Sequence, residues 1–278
     1  MKKGFAVLLY VWILMQIMIE SLPVSSSSHV TLVQKIFEKY GYSPDTFTQS
    51  WVIDFILHGP TMVILLVYFF KPWWKMVFGQ RSIDFKIFLQ KSTWQSLAAP
   101  LIFIGIADFI TVIFWWSGIA QSFFITHYFL PVGFMFTAII LYSSSRASVT
   151  RSVNWSFKDA VIIGCAQAIS LLPGISRFAS TYGAGRLLCR YDASTSFALS
   201  FLIQLPLIGA GFIKGLIAVQ KYPELMIKLF SFKALLVMVI ASLLSYGLLC
   251  LVGSLIQKNK LYYFAFYMMI PIILSLIL

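Results

Sequence analysis

The sequence predicts an all-α polytopic membrane protein, and three observations lead to that prediction. Hydrophobic residues make up 60% of the 278 residues and charged residues only 11%, whereas a soluble domain has about 25% charged residues. Several apolar runs reach about 20 residues, the length of helix that crosses a hydrocarbon core. Two polar stretches interrupt this apolar chain, and each of them contains a proline.

Six apolar segments are long enough to span a bilayer. They are 49–70, 95–116, 123–142, 194–218, 233–256 and 260–278. Two further apolar runs, near 4–21 and 157–172, end at a proline and are followed by weaker helices near 27–39 and 177–190. We interpret each as a re-entrant helix–loop–helix pair, because non-helical backbone at membrane depth occurs only where it lines a protected cavity.

The order of these elements predicts an inverted repeat. Each half would hold one re-entrant pair and three spans, and an odd number of crossings inverts the second half relative to the first. We expect a single membrane domain over 1–278, with pseudo-repeats at about 1–145 and 155–278. The two polar breaks would then enter from opposite faces and meet.

Charge patterning predicts an orientation and argues against nucleic acid as a partner. The net charge is +12, but Lys and Arg lie mostly between apolar runs, where they meet anionic headgroups, and no basic run is interleaved with aromatics. The loops on one side of the predicted membrane, near 71–91, 146–158, 190 and 258–260, hold more Lys and Arg than those on the other side, near 2–3, 35–39 and 221–233. The side with more Lys and Arg is therefore predicted to be cytoplasmic.

The N-terminal run after Lys2 and Lys3 also resembles a secretory signal peptide. Two features favour keeping it in the mature protein. Gln16 and Glu20 lie at its end, and the same pattern recurs in mid-chain, where no signal peptide can lie. The three cysteines are far apart, so neither a disulfide framework nor a zinc site is predicted.

The second polar break offers the chemistry of an anion site. Pro173 and Gly174 predict a sharp turn with exposed backbone N–H groups, Ser176 adds a hydroxyl, and Arg177 adds a permanent cation at a helix start. Arginine suits phosphate because its planar guanidinium binds two oxygens at once. The alternative is that Arg177 snorkels to the lipid headgroups.

The first polar break offers groups for metal binding and proton transfer. Gln16 and Glu20 are spaced i, i+4 on one helix face, where their oxygens could hold a hard divalent cation, Mg²⁺ or alternatively Ca²⁺. The serines at 25–28 precede His29, a candidate general base towards a hydroxyl or a water. A satisfied polar pair and a serine N-cap are the simpler explanations of these patterns.

Together, the two breaks fit phosphoryl transfer, in which positioning and charge neutralisation do most of the catalysis. One break supplies a carboxylate, hydroxyls and a base, and the other supplies an anion clamp. The surrounding walls face lipid, so a phosphorylated lipid is the expected substrate. Weaker candidates for the same site are His58, Asp54, Asp108 and Arg186.

These residues resemble the undecaprenyl-diphosphate phosphatase family, the bacitracin-resistance proteins of bacterial membranes. The first family motif is matched by Gln16, Glu20 and the run Pro23-Val24-Ser25-Ser26-Ser27-Ser28-His29. The second is matched by Pro173-Gly174-Ile175-Ser176-Arg177-Phe178-Ala179-Ser180-Thr181. Segments 56–61 and 197–206 are similar to further family stretches, so the resemblance covers most of the chain.

The resemblance implies hydrolysis of a polyprenyl diphosphate to the monophosphate and phosphate, which recycles the lipid carrier for peptidoglycan synthesis and confers bacitracin resistance. By this similarity Glu20 and Gln16 hold the cation, Ser26 and His29 act at phosphorus, and Arg177 binds the diphosphate. Either Ser26 or a water is the attacking group. The remaining motif residues expected to bind substrate are Ser25, Ser27, Gly174, Ser176 and Thr181. The implied location is the bacterial inner membrane, and a homodimer is a candidate assembly.

Three positions depart from the family pattern. Phe178 stands in place of a second serine, Ser28 in place of a glycine, and Pro60 interrupts a His-Leu-Gly-Thr region. Phe178 removes a hydroxyl and adds bulk beside Arg177. Reduced activity, altered specificity and an inactive member are therefore open outcomes.

A transporter is the competing prediction. Inverted repeats with broken helices are transporter architecture, and a phosphate site at mid-membrane would suit a polyprenyl-phosphate flippase or an anion carrier. The serine run beside Glu20 has no evident use in anion transport, which favours an enzyme. A lipid phosphatase with a histidine nucleophile needs a histidine a few residues after a Ser-Arg pair, and 178–185 contains none.

Overall fold

The computed structural model describes residues 2–40, 50–79, 91–119 and 129–278. Within these ranges nearly all of the chain is helical, and the β-type contact found there is an isolated bridge between Arg151 and Tyr191. The helices are α1 Lys2–Glu20, α2 Ser26–Lys39, α3 Ser50–Phe78, α4 Lys91–Trp116, α5 Phe129–Arg146, α6 Phe157–Ile169, α7 Arg177–Gly183, α8 Ala193–Leu202, α9 Leu205–Val219, α10 Pro223–Leu229, α11 Phe232–Gln257, α12 Tyr262–Tyr267 and α13 Met269–Ile277. A short π-helix, Ala184–Leu188, follows α7 directly.

Five helical segments of the described chain are long and apolar enough to cross a membrane, which confirms the all-α polytopic prediction. They are α3, Ser96–Trp116 of α4, α5, the α8–α9 segment Ala193–Val219, and α11. The sixth predicted span, 260–278, is instead the shorter apolar segment Tyr262–Ile277, divided between α12 and α13. Residue 49 and residues 123–128, which begin two predicted spans, lie outside the described residues.

Both predicted helix–turn–helix pairs are present. In the first pair α1 ends at Glu20 and α2 begins at Ser26, and in the second α6 ends at Ile169 and α7 begins at Arg177. The Ser176 hydroxyl caps α7 by accepting a hydrogen bond from the backbone N–H of Ala179. The sequence thus places both breaks correctly, whereas their re-entry into a membrane stays a prediction.

Helix packing is reciprocal between the two halves of the chain. α1 packs on α11, while α6, which opens the second half, packs on α4 of the first half. α3 lies along α9, and α5 lies along α12 and α13. A two-fold pseudosymmetry between the halves would produce such an exchange of partners. The division into repeats at about 1–145 and 155–278 itself stays a prediction.

Buried polar contacts fix the loop before α6 to the chain that follows the π-helix. The guanidinium of Arg186 donates to the carbonyl oxygens of Ala147, Val149 and Tyr191. Burial raises the pKa of the Tyr191 phenol above its ordinary value, so the hydroxyl keeps its proton and bonds to Asp159 Oδ2 at 2.6 Å. Arg186, a weaker site candidate from the sequence, therefore holds a loop in place.

The turn of the second break lies against α5 without room for side chains. Gly174 has a φ of +82°, and a Cβ there would lie 2.5 Å from a backbone oxygen of α5. On α5, a Cβ at Gly133 would overlap the carbonyl oxygen of Pro173. One turn further, Thr137 Oγ1 accepts from the Ser176 N–H at 2.9 Å and donates to the Gly174 carbonyl at 3.0 Å. α5 therefore fixes the turn from which α7 begins.

Gly133→Ala is expected to destabilise the protein, because the added methyl group must displace backbone atoms of the turn. Overpacking of this kind costs about 1–3 kcal/mol. Gly105→Ala in α4 is the matched control, since a Cβ there meets open space and alanine favours the helix by up to about 1 kcal/mol. Thermal unfolding in detergent measures both variants. Equal unfolding midpoints for Gly133→Ala and Gly105→Ala would contradict the close contact between α5 and the turn of the second break.

Candidate active site

The two polar breaks meet at one cavity of about 230 Å³, as the sequence predicts. The first break lines it with Gln16, Glu20, Ser25, Ser26 and Ser27, and the second with Ser170, Ile175, Arg177 and Phe178. Residues of α3 and of the turn between α8 and α9 complete the wall. The cavity thus joins acidic, hydroxyl and cationic groups from sequence positions about 150 residues apart.

Two buried oxygens of the first break have no hydrogen-bond partner in the part of the chain that the structure describes. Gln16 Nε2 donates to Glu20 Oε1 at 3.2 Å. The other oxygens of this pair, Gln16 Oε1 and Glu20 Oε2, are buried without a hydrogen-bond partner among the described residues. Buried polar atoms are normally paired, and carboxylate and amide oxygens are the ligands that hard divalent cations prefer.

The pair alone does not complete a metal site. In the described ranges no cluster of three or more His, Cys, Asp or Glu side chains is arranged to hold a metal ion. Mg²⁺ commonly binds through one or two protein ligands together with substrate phosphates and water. The residues therefore fit a cation that binds with substrate, and not a site built wholly from protein.

Arg177 brings the positive charge to this cavity. Its Nε is buried and has no hydrogen-bond partner in the described part of the chain. The carboxylates of Glu20 and Asp108 attract its charge. Asp108 does not line the cavity and accepts a hydrogen bond from Gln167 at 2.8 Å. The guanidinium thus keeps hydrogen-bonding capacity for an anion.

The serine run divides between the cavity and the protein interior. Ser28 Oγ accepts a hydrogen bond from the Gly174 N–H at 2.7 Å and another from Ser25 Oγ at 2.8 Å. Ser28, which departs from the family glycine, therefore links the first break to the second. Ser26 and Ser27 line the cavity, and neither side chain is hydrogen-bonded to another described residue. The Ser26 hydroxyl is thus available for chemistry.

His29 does not line the cavity. Its Nδ1 lies 2.6 Å from the carbonyl oxygen of Ser25, and its Nε2 lies 3.1 Å from Tyr267 Oη. The imidazole also stacks on the Tyr267 ring and meets the edge of Phe134. Both ring nitrogens are therefore engaged, one by the backbone of Ser25, itself a predicted site residue, and the other by Tyr267.

Three residues predicted to bind substrate are likewise absent from the cavity lining. The Gly174 N–H is bonded to Ser28, and Ser176 caps α7. Thr181 donates to the carbonyl oxygen of Arg177 at 2.9 Å. Their polar groups thus hold the second break in its conformation and are not part of the cavity wall.

Helix α3 adds side chains that the sequence analysis treated as weaker candidates. Asp54 and His58 line the cavity, since the helix continues unbroken through Pro60. Asp54 Oδ1 accepts a hydrogen bond from Trp12 Nε1 at 2.7 Å. In the sequence, the i, i+4 spacing of Asp54 and His58 within an apolar span is the feature that identifies them as candidates for the site.

Gln204 is a cavity residue that the sequence analysis missed. It lies where the predicted span 194–218 divides into α8 and α9, with Pro206 in the first turn of α9. A proline following a polar residue within an apolar run was the signal for this break.

Phe178 forms an apolar part of the cavity wall next to Arg177 in sequence. Its ring stacks on Tyr182 at 5.4 Å and lies 5.2 Å from Phe201, which also lines the cavity. The side chain is only 4% exposed. The phenylalanine at this position therefore belongs to an aromatic cluster that forms part of the cavity wall.

Comparison with known proteins agrees with the resemblance. A family model described as bacitracin resistance protein BacA matches residues 11–274. A protein of Halothermothrix orenii named undecaprenyl-diphosphatase is 31% identical over 268 residues, which cover 93% of this chain and 92% of that protein. Proteins of the same name from Treponema denticola and Desulforudis audaxviator are 28% identical over 266 residues (92% and 91% covered) and 30% identical over 204 residues (71% of each).

Ser28→Ala is expected to lower the stability of the protein, since it leaves the buried Gly174 N–H without an acceptor. An unsatisfied buried donor costs about 1–3 kcal/mol. Ser27→Ala is the matched control, because Ser27 is exposed and its hydroxyl has no described partner. Thermal unfolding in detergent should separate the two variants, and a Ser28→Ala midpoint equal to that of Ser27→Ala would refute the link between the breaks.

Proposed function

The chain belongs to the family of the bacitracin resistance protein BacA, and from that premise we propose that it is an integral-membrane phosphatase of undecaprenyl diphosphate. The reaction would yield the monophosphate and inorganic phosphate. The observation that carries the proposal is the shared cavity, which Gln16, Glu20 and Arg177 line together. One oxygen of Gln16, one of Glu20 and the Nε of Arg177 are buried there without a partner among the described residues. The relatives named undecaprenyl-diphosphatase support the choice of substrate.

Arg177 would bind the diphosphate. Its guanidinium can donate two parallel hydrogen bonds to phosphate oxygens, and its cavity is partly closed off from water, which strengthens the attraction. Glu20 Oε2 and Gln16 Oε1 would hold a divalent cation, Mg²⁺ or Ca²⁺, which supplies further charge neutralisation on the phosphate oxygens. Arg177 of the second break and the cation held by the first break would thus neutralise the negative charge that develops during phosphoryl transfer.

Ser26 is the candidate nucleophile among the side chains of the cavity, and a water molecule is the alternative. The attacking oxygen bonds to the terminal phosphorus, the bond to the bridging oxygen breaks, and the bridging oxygen leaves on the lipid monophosphate. If Ser26 attacks, water must afterwards release the phosphate from the serine. The net reaction consumes one water in either case.

The cavity suits a headgroup better than a whole lipid. Its volume of about 230 Å³ is far below that of a polyprenyl chain, and its apolar wall includes Phe178, Phe201 and Ile208. The diphosphate would enter the cavity while the tail stays among the lipids. On this proposal the protein acts in the bacterial inner membrane, recycles the carrier of peptidoglycan synthesis, and confers bacitracin resistance.

Arg177→Ala is expected to lower phosphate release from a C55 polyprenyl diphosphate by about 10²–10³-fold, the loss usual for one preorganised donor to transition-state charge. Arg177→Lys should recover only part of the activity, because a lysine cannot form the bidentate contact. Arg146→Ala, which removes an exposed arginine outside the cavity, is the control and should match the wild type. Phosphate release is measured with purified protein in detergent for the wild type and for each of the three variants.

Wild-type protein that folds and binds the lipid without releasing phosphate would instead favour the flippase or anion carrier. If the wild type is active and Arg177→Ala remains fully active, the phosphatase stands and the diphosphate contact of Arg177 is wrong.

Chelation is expected to abolish phosphate release, and added Mg²⁺ or Ca²⁺ should restore it. Glu20→Gln should raise the cation concentration needed for half-maximal activity, because a neutral amide holds a divalent cation more weakly than a carboxylate. Cation titrations of activity for the wild type and Glu20→Gln provide the measurement. Full activity of the wild type in excess chelator would contradict the metal proposal.

A further inference from the structure

A lysine lies within the apolar segment that α8 and α9 form. Lys214 is the only charged residue but one cap-free exception aside of none in Ala193–Val219, a segment long and apolar enough to cross a membrane. Its side chain is exposed, and no described carboxylate lies within ion-pair distance of it. A charge in such a segment is costly and usually marks a function, and the proposed phosphatase step leaves this one unused.

Two glycines of α9 bring Lys214 close to α3. A Cβ at Gly215 would lie 2.9 Å from the backbone nitrogen of Ile56, and a Cβ at Gly211 would lie 3.4 Å from the ring of Phe55. Small residues four positions apart let two helices approach closely. The backbone of Lys214, between these glycines, is therefore held against the turn of α3 that carries Phe55.

The ammonium group of Lys214 lies over aromatic rings of two other helices. Its Nζ is 5.2 Å from the centroid of the Phe55 ring on α3 and 5.6 Å from that of the Trp115 ring on α4. Cation–π attraction holds an ammonium group at such distances, and no described oxygen accepts a hydrogen bond from it. A lysine that only snorkels directs its charge into water, whereas Lys214 holds its charge where α3, α4 and α9 meet and keeps its donors for a ligand.

Phe55 connects this cation to the candidate active site. Phe55 and Trp51, one turn earlier on α3, both line the cavity, and their rings meet edge-on at 5.9 Å. Trp51 is 41% exposed, so the cavity wall reaches the surface of the protein at this edge. Lys214 does not itself line the cavity. It lies outside the cavity, beside the edge that Trp51 and Phe55 form.

Resting on the proposed phosphatase function, we propose that Lys214 binds the phosphate that stays on the lipid. The terminal phosphate would lie inside the cavity with Arg177. The phosphate next to the polyprenyl chain would lie towards the edge of the cavity, because the chain remains among the lipids. An ammonium group is a compact charge with three rotatable donors, which suits a phosphate at an open edge. Lys214 thus increases the affinity for substrate and product alike and takes no part in bond breaking.

Lys214→Met tests this contact, since methionine keeps a long apolar side chain and removes the charge. We expect the KM for C55 polyprenyl diphosphate and the Kd for C55 polyprenyl monophosphate each to rise about tenfold, the loss usual for a hydrogen bond to a charged group, with kcat unchanged. Both constants should also depend less on salt concentration than in the wild type. Lys214→Arg keeps the charge and the ring contacts, so it should stay close to the wild type.

Lys221→Met is the matched control, because it removes an exposed lysine just past the end of α9 and outside the cavity. It should match the wild type in KM and Kd. An unchanged KM in Lys214→Met, or an equal rise in Lys221→Met, would overturn the proposal. A KM that rises while the Kd for the monophosphate does not would also overturn it, because the contact would then be to the terminal phosphate.

Bulk anionic lipid is the other source of a phosphate for Lys214, and phosphatidylglycerol added to the detergent tests it. If phosphatidylglycerol raises the unfolding midpoint of the wild type but not of Lys214→Met, while KM and Kd are equal in the two, Lys214 binds bulk lipid and the proposal is wrong. The Kd for the monophosphate needs no turnover. It therefore tests Lys214 even if the wild type releases no phosphate, a result that would refute the phosphatase function alone.

Discussion

The hydrogen bond from the Gly174 N–H to Ser28 Oγ joins the two halves of the site, and the rest of the arrangement depends on it. Backbone that leaves a helix inside an apolar surrounding must find partners within the protein. Here Ser28 of the first break supplies an acceptor for the Gly174 N–H of the second break. Thr137 on α5 binds both ends of the Gly174–Ser176 turn. Once the turn is fixed, α7 begins at Arg177, and the guanidinium is placed in the same cavity as Glu20.

The cavity owes its chemistry to polar atoms that the fold leaves without partners. Folding usually pairs buried polar groups, yet Gln16 Oε1, Glu20 Oε2 and Arg177 Nε have none among the described residues. A cation and a phosphate would satisfy all three. Phe178 and Phe201 form an apolar part of the wall of the same cavity.

The sequence predicts the all-α architecture and both breaks, because hydropathy, proline and charge are local properties. It also predicts that Glu20 and Arg177 meet, which follows from the order of the elements. It cannot decide which side of a short helix faces the cavity: His29 and Ser26 are neighbours on α2, yet packing against Tyr267 directs the histidine away from the cavity that Ser26 lines. The division of the α8–α9 span at Gln204 was likewise missed, since the run around it is strongly apolar.

Hydrolysis of the lipid diphosphate in water labelled with ¹⁸O tests the central claim most directly. If the cavity binds the diphosphate and water attacks the terminal phosphorus, directly or after Ser26, the released phosphate carries one ¹⁸O and the lipid monophosphate carries none. Mass spectrometry of both products gives the result. Label in the lipid monophosphate would place the attack on the other phosphorus. If folded protein binds the lipid but releases no labelled phosphate, the assignment of this cavity as a phosphatase site is contradicted.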